Sequence, residues 1–88
     1  MTPRLSYVYK YVDRDEVRYF SSFERAKDCL DKNAQDYRTK GAQMLSSKSA
    51  NDIPYVWRAK IHFPWSGRIF EITIEEIELD ILPKRDPY

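Results

Sequence analysis

Apolar and polar positions alternate with period two at the start of the chain: Leu5, Tyr7, Tyr9 and Tyr11 share one parity, and Ser6, Val8, Lys10 and Val12 the other. Successive strand side chains point to opposite faces, and β-branched and aromatic residues fit a pleated surface, so this segment reads as a strand with its tyrosines on one face. The polar run Asp13-Arg14-Asp15-Glu16 then turns the chain into a second short strand, Val17-Arg18-Tyr19-Phe20. Residues 5 to 20 are therefore expected to form an antiparallel hairpin.

The period changes at Ser21-Ser22-Phe23-Glu24. A serine hydroxyl can accept from an open amide of a first helical turn, and a glutamate three residues on can reach back to the cap. Phe23, Ala26, Leu30, Ala34 and Tyr37 then recur at helical spacing, while Arg25, Lys27, Asp28, Asp31 and Lys32 point outward. Gly41 is the expected stop, with Ala42, Met44 and Leu45 able to add a further turn. The stretch from Ser46 to Asp52 reads as an exposed loop.

After Pro54 strict alternation returns: Tyr55, Trp57, Ala59, Ile61 and Phe63 against Val56, Arg58, Lys60 and His62. If Pro64-Trp65-Ser66-Gly67 closes a hairpin, Phe63 faces Arg68, Ile61 faces Phe70, Ala59 faces Ile72 and Trp57 faces Ile74. The same register sets Lys60 opposite Glu71, so apolar matching and a charge pair agree. Beyond Ile74 the apolar parity slips to Ile77, Leu79 and Ile81, which predicts a bulge or bend at Glu75-Glu76, with a short helix as the alternative. The Pro83–Tyr88 segment reads as a polar, frayed tail. The fold class is α+β: a single domain over 1–88, order β-β-α-β-β, with an antiparallel sheet of about four strands and one main helix on one face. Its core is expected to bring Phe23, Ala26 and Leu30 against Trp57, Ile61, Phe70 and Ile72.

Composition narrows the function. An 88-residue chain, 42% hydrophobic and 33% charged, builds one core and commits most of its large apolar residues to it, leaving few for a deep pocket. Fifteen Lys and Arg against fourteen Asp and Glu leave a net charge of +1, so no global field draws in nucleic acid or an anionic membrane. Cys29 is the sole cysteine, which excludes an internal disulfide and suits a reducing cytoplasm. The opening residues run directly into alternating Tyr and Val, unlike a signal peptide or a membrane span, so a soluble, cytoplasmic protein is expected.

Catalytic chemistry finds little material. His62 is the single histidine, and nothing in the sequence joins it to Cys29 as a nucleophile–base pair. No cluster of Cys, His or acidic residues has metal-ligand spacing, no cofactor is implied, and Gly41 and Gly67 are the only glycines, too few for a phosphate-cradling loop. The acids Glu71, Glu75, Glu76, Glu78 and Asp80 alternate with apolar residues as a solvated face does.

Binding is the better supported expectation. Trp65 sits in a tight turn, and Arg68, Arg58 and Lys60 lie on or beside the same hairpin, so these four form the expected partner-binding set. Trp and Arg dominate binding energy at protein interfaces. Alternatively, Trp65 folds back over Phe63 or Ile69 as a lid. The rival reading is single-stranded nucleic-acid binding by Tyr7, Tyr9 and Tyr11 with Arg58 and Lys60, opposed by the helix that should cover those tyrosines.

A Tyr/Val strand, a charged turn, Phe20-Ser21-Ser22-Phe23-Glu24-Arg25-Ala26 opening a helix, and the late Ile74-Glu75-Glu76-Ile77-Glu78-Leu79 segment together resemble small uncharacterised bacteriophage accessory proteins. That resemblance implies a non-enzymatic protein that inhibits or adapts a host factor by covering its surface, in the host cytoplasm. It carries over no functional residue.

Overall fold

The computed structural model describes residues 5–80. The initial alternation becomes β1 (Leu5–Asp13), which turns through Arg14-Asp15 into β2 (Glu16–Phe20) with Asp13 opposite Glu16. Helix α1 (Phe23–Thr39) follows, then β3 (Gln43–Ser49), β4 (Tyr55–Phe63) and β5 (Arg68–Asp80). The strands form one five-stranded sheet in the order β2-β1-β5-β4-β3, with every neighbouring pair antiparallel.

Local chemistry explains both helix ends. The Ser22 hydroxyl accepts from the Arg25 N–H at 3.3 Å, satisfying one of the open first-turn donors. Because the cap is Ser22 and not Ser21, Glu24 falls one position short of a reciprocal capping box and contributes only negative charge near the helix's positive end. At the other end the Gly41 N–H donates to the Arg38 carbonyl and the Ala42 N–H to the Tyr37 carbonyl, at 3.0 and 2.9 Å. This double closure needs a left-handed residue, and Gly41 supplies it at φ +104°.

The helix lies on one face of the sheet. Ala26, Leu30 and Ala34 are its buried stripe, and the two alanines let it approach Tyr11, Ala59, Ile61, Ile72 and Ile74 closely. Of the expected core, Ala26, Leu30, Ile61 and Ile72 are buried, while Phe23, Trp57 and Phe70 are half-buried and pack against its margin. The register of the second hairpin is the one apolar matching requires, from Phe63 opposite Arg68 to Trp57 opposite Ile74. Lys60 does stand opposite Glu71, but the ion pair of Glu71 runs diagonally to Arg58, Nη1 to Oε1 at 2.8 Å.

Two expectations are corrected. The stretch read as a possible helical turn followed by a loop is β3, a fifth strand: Met44 pairs with Ile61, the register shifts at Leu45, and Ser46 to Ser49 pair with Lys60 to Trp57. Its serines and lysine resemble a loop because β3 is a sheet edge, where a strand is bonded on one side only. The irregularity expected at Glu75-Glu76 lies instead on the partner strand, between Tyr55 and Trp57, and β5 runs without a break. The apolar parity slips because β5 changes neighbours: Ile72 and Ile74 face the helix, whereas Ile77 lies opposite Val8 on the other face. The Pro83–Tyr88 segment and Ile81 lie outside the described residues. Among the described residues, no helix is long and apolar enough to cross a membrane.

Leu30 is the one large side chain that the helix buries completely. Leu30→Ala is expected to lower unfolding free energy by about 2 to 5 kcal/mol, read from the denaturation midpoint at constant m-value. An unchanged midpoint would contradict this packing.

Candidate functional site

The strand directions bring three connections to one end of the molecule: the Arg14-Asp15 turn, the helix terminus at Lys40-Gly41, and the Pro64–Gly67 turn. Trp65 projects there with 62% of its surface exposed. Its ring nevertheless rests on Phe63, centroids 5.1 Å apart and planes inclined by 39°. A Cβ on Gly41 would lie 3.6 Å from Trp65 Cζ3, so the indole also closes on the helix terminus. Trp65 therefore combines the two alternatives read from sequence, being seated on Phe63 by one face and open to solvent by the rest.

Arg14 is the second element of this end. It adopts φ 55°, a left-handed conformation uncommon for a residue with a Cβ. The strain has a visible counterpart: the guanidinium lies over the rings of Tyr37, Phe63 and Phe70, 5.4, 5.5 and 5.4 Å from their centroids. Phe63 thus carries Trp65 on one contact and Arg14 on another.

Beneath these rings lies a buried polar network. Asp13 is 3% exposed, and its Oδ2 accepts hydrogen bonds from the Tyr37 hydroxyl at 2.8 Å and the Tyr11 hydroxyl at 3.0 Å. The Asn33 amide donates to the Tyr11 oxygen at 2.6 Å. Asp13 Oδ1 has no hydrogen-bond partner among the described residues. Burial, reinforced by the bond to Asp13, pushes Tyr37 from an ordinary value near 10 up to about 12, against an opposing pull from Arg14. Burial moves Tyr11 upward as well, beyond the ordinary tyrosine range. This network fixes the turn and the helix to each other and thereby positions Arg14.

The four residues expected to bind together are divided by the sheet. Trp65 and Arg68 belong to the aromatic end, Arg68 standing opposite Phe63 on β5. Arg58 and Lys60 project from the face that the helix does not cover, opposite Thr73 and Glu71. Arg58 is already engaged: it bonds Glu71, lies 4.1 Å from the Tyr55 ring centroid, and places Nε 3.7 Å from Asp52 Oδ2, within ion-pair range but beyond a hydrogen bond. Lys60 is exposed. Sequence reasoning missed Arg14, although a two-residue hairpin connection commonly requires a positive φ, and this turn contains no glycine.

The tyrosines of the rival reading lie on the helix-facing side. Tyr11 is fully buried and cannot stack on a base, Tyr9 is half-buried, and Tyr7 is exposed. Cys29 and His62 stand on opposite sides of the sheet. Cys29 sits on the helix beside a cleft with Arg18 and Phe20, its thiol pushed upward by burial, and His62 lies on the uncovered face beside Gln43 Oε1 at 3.3 Å. Among the described residues, no group of three or more His, Cys, Asp or Glu converges as a metal site would require.

The raised tyrosine values set an alkaline limit. The unfolded chain loses the Tyr37 proton near pH 10 and the folded chain only near 12, so the native state binds more protons in that window and stability falls as pH rises through it. Tyr37→Phe is expected to cost about 1 kcal/mol at neutral pH and to make the decline between pH 10 and 12 shallower. Chemical denaturation at several pH values measures both, and an unaltered slope would remove Tyr37 from the network.

Compared with protein-family models, with curated proteins and with solved structures, the chain matches none.

Proposed function

We propose that this protein is a non-enzymatic protein-binding module that presents its Trp65 end to an acidic surface of a partner. The observation that carries this reading is Trp65 itself: 62% exposed, yet held by Phe63 and Gly41 so that little freedom is lost on binding. Arg14, Lys40 and Arg68 are exposed in the turn, helix end and strand start that meet at this end of the molecule, while Asp15 is the acid of the Arg14 turn. Arg14 is preorganised by its three ring contacts, which suits it to a charge-assisted bond with a carboxylate. The resemblance to phage accessory proteins makes a host protein the natural partner and occlusion of its surface the mode of action. Arg58 and Lys60, on the other face, are not part of this surface.

The reading predicts a separation of binding from stability. Trp65→Ala should weaken partner binding more than roughly tenfold, whereas its stability cost should stay near 1 kcal/mol because most of the indole is already in water. Arg14→Gly should relieve the left-handed backbone, keep the fold and weaken binding, more so at low salt. The partner is first captured from nuclease-treated bacterial lysate and identified by mass spectrometry, and each variant is then titrated against it. Undiminished affinity in a folded Trp65→Ala variant would sink the surface, and recovery of nucleic acid alone from untreated lysate would favour the rival class.

A further inference from the structure

At the opposite end of the molecule, where α1 begins, the helix-facing side of the sheet is incompletely covered. Tyr9, Phe23, Ser49, Val56, Trp57 and Glu76 line a groove of about 320 Å³ there, open to solvent along one side. Three aromatic rings wall it. Phe23 stands at 71° to Tyr9 with centroids 6.2 Å apart, and at 53° to Trp57 with centroids 6.0 Å apart. Its one charged lining residue is Glu76.

Glu76 occupies a position that the strand pattern assigns to an apolar side chain. It continues the helix-facing parity of Ile72 and Ile74, two residues beyond Ile74. Its N–H donates to the Pro54 carbonyl at 2.8 Å, and its Oε2 accepts from the Tyr9 hydroxyl at 2.8 Å, so backbone and carboxylate are both fixed. That hydrogen bond engages one carboxylate oxygen only.

The chemistry of these walls selects a ligand. Aromatic faces carry partial negative charge and prefer a cation with an apolar shell, and a carboxylate among them adds a full charge and a hydrogen-bond acceptor. An anion is repelled. A hard metal ion needs several oxygen ligands, which one carboxylate does not supply. Trp57 already attracts an ammonium within the chain: Lys27 Nζ lies 4.7 Å from its centroid while bonded to Asp31, and Lys27 is not among the groove's lining residues. Because the groove is open, a small free cation would keep much of its hydration, whereas a side chain delivered from a second polypeptide gains contact along its methylenes.

We infer that this groove receives a lysine side chain bearing one or two Nε-methyl groups, presented by a partner polypeptide, with the methyls against Tyr9, Phe23 and Trp57 and the remaining N–H directed to Glu76. Methylation weakens hydration of the ammonium and enlarges its apolar shell, while at least one N–H is retained for the carboxylate. The site is separate from the Trp65 end, and neither depends on the other.

The test uses the whole chain and four short alanine-flanked peptides carrying lysine, dimethyllysine, trimethyllysine or the uncharged norleucine. Binding is read by NMR from the Trp57 indole N–H, which is held in place by its bond to Ser47 Oγ at 2.9 Å. Dimethyllysine should shift it saturably and bind roughly tenfold more tightly than norleucine. Glu76→Gln, which keeps an acceptor for Tyr9, should remove most of that advantage while leaving the rest of the spectrum in place. Trp57→Leu, read from the Glu76 backbone N–H that donates to the Pro54 carbonyl at 2.8 Å, should abolish binding, but Glu76→Gln decides the matter if that variant unfolds. Norleucine binding as tightly as dimethyllysine, no saturable shift with any peptide, or full affinity in Glu76→Gln would overturn the inference.

Discussion

The pairing of β1 with β5 holds the molecule together. It runs from Leu5 opposite Asp80 to Asp13 opposite Ile72 and joins the β1–β2 hairpin to the three-stranded β3–β4–β5 unit, each formed locally, into one sheet. A lone hairpin is marginal in water, and neither unit alone offers the helix a complete apolar floor. Pairing sets Tyr11 beside Ile74, which in turn faces Trp57, so the helix rests on residues drawn from both halves of the sequence. The cost is entropic, because partners far apart in sequence must meet before the helix stripe is covered. Ala26 and Ala34, which let the helix come close, then contribute chiefly by what they allow Leu30 and the sheet isoleucines to bury.

Where neighbours in space are neighbours in sequence, the pattern of residues was enough to read the structure. Both hairpins, the register from Trp57–Ile74 to Phe63–Arg68, the helix and its stop at Gly41 all follow from alternation, helical spacing and turn chemistry. What escaped reading carries no periodic signal of its own. The Ser-rich β3 becomes a strand because β4 offers an edge, and Glu76 faces the helix side because β5 stays regular while β4 bulges between Tyr55 and Trp57. The expected binding set is split between two faces, because proximity along a hairpin does not tell which face a residue takes, and Arg58 and Lys60 share the parity opposite to that of Phe63. Arg14 was hidden differently, since its importance lies in a backbone angle and in three rings from α1, β4 and β5 that converge only after folding.

The two ends of the domain use aromatic residues in contrasting ways. Near Trp65 the rings are filled in: Arg14 covers Tyr37, Phe63 and Phe70, and a buried carboxylate with two tyrosine hydroxyls braces the layer from below. Near Phe23 the rings stand apart around open space, and the carboxylate lies among them. In the first arrangement the charge lies on top of the rings, while the second is concave with its charge among them. Proteins this small seldom have material for a deep cavity, and both arrangements lie where the helix stops covering the sheet.

The edge strand β3 bears on how the protein behaves when crowded with copies of itself. A sheet edge carries unsatisfied backbone donors and acceptors, and a long apolar edge invites another chain to extend it into a fibril. Here the edge sequence is Gln43-Met44-Leu45-Ser46-Ser47-Lys48-Ser49, and its register is broken at Leu45, which turns half its surface to solvent. The break interrupts the regular ladder that a stacking chain would need, and the serines and Lys48 withhold the apolar zipper that would hold it. The same polar composition that made this segment look like a loop thus makes this edge a poor template for a further strand.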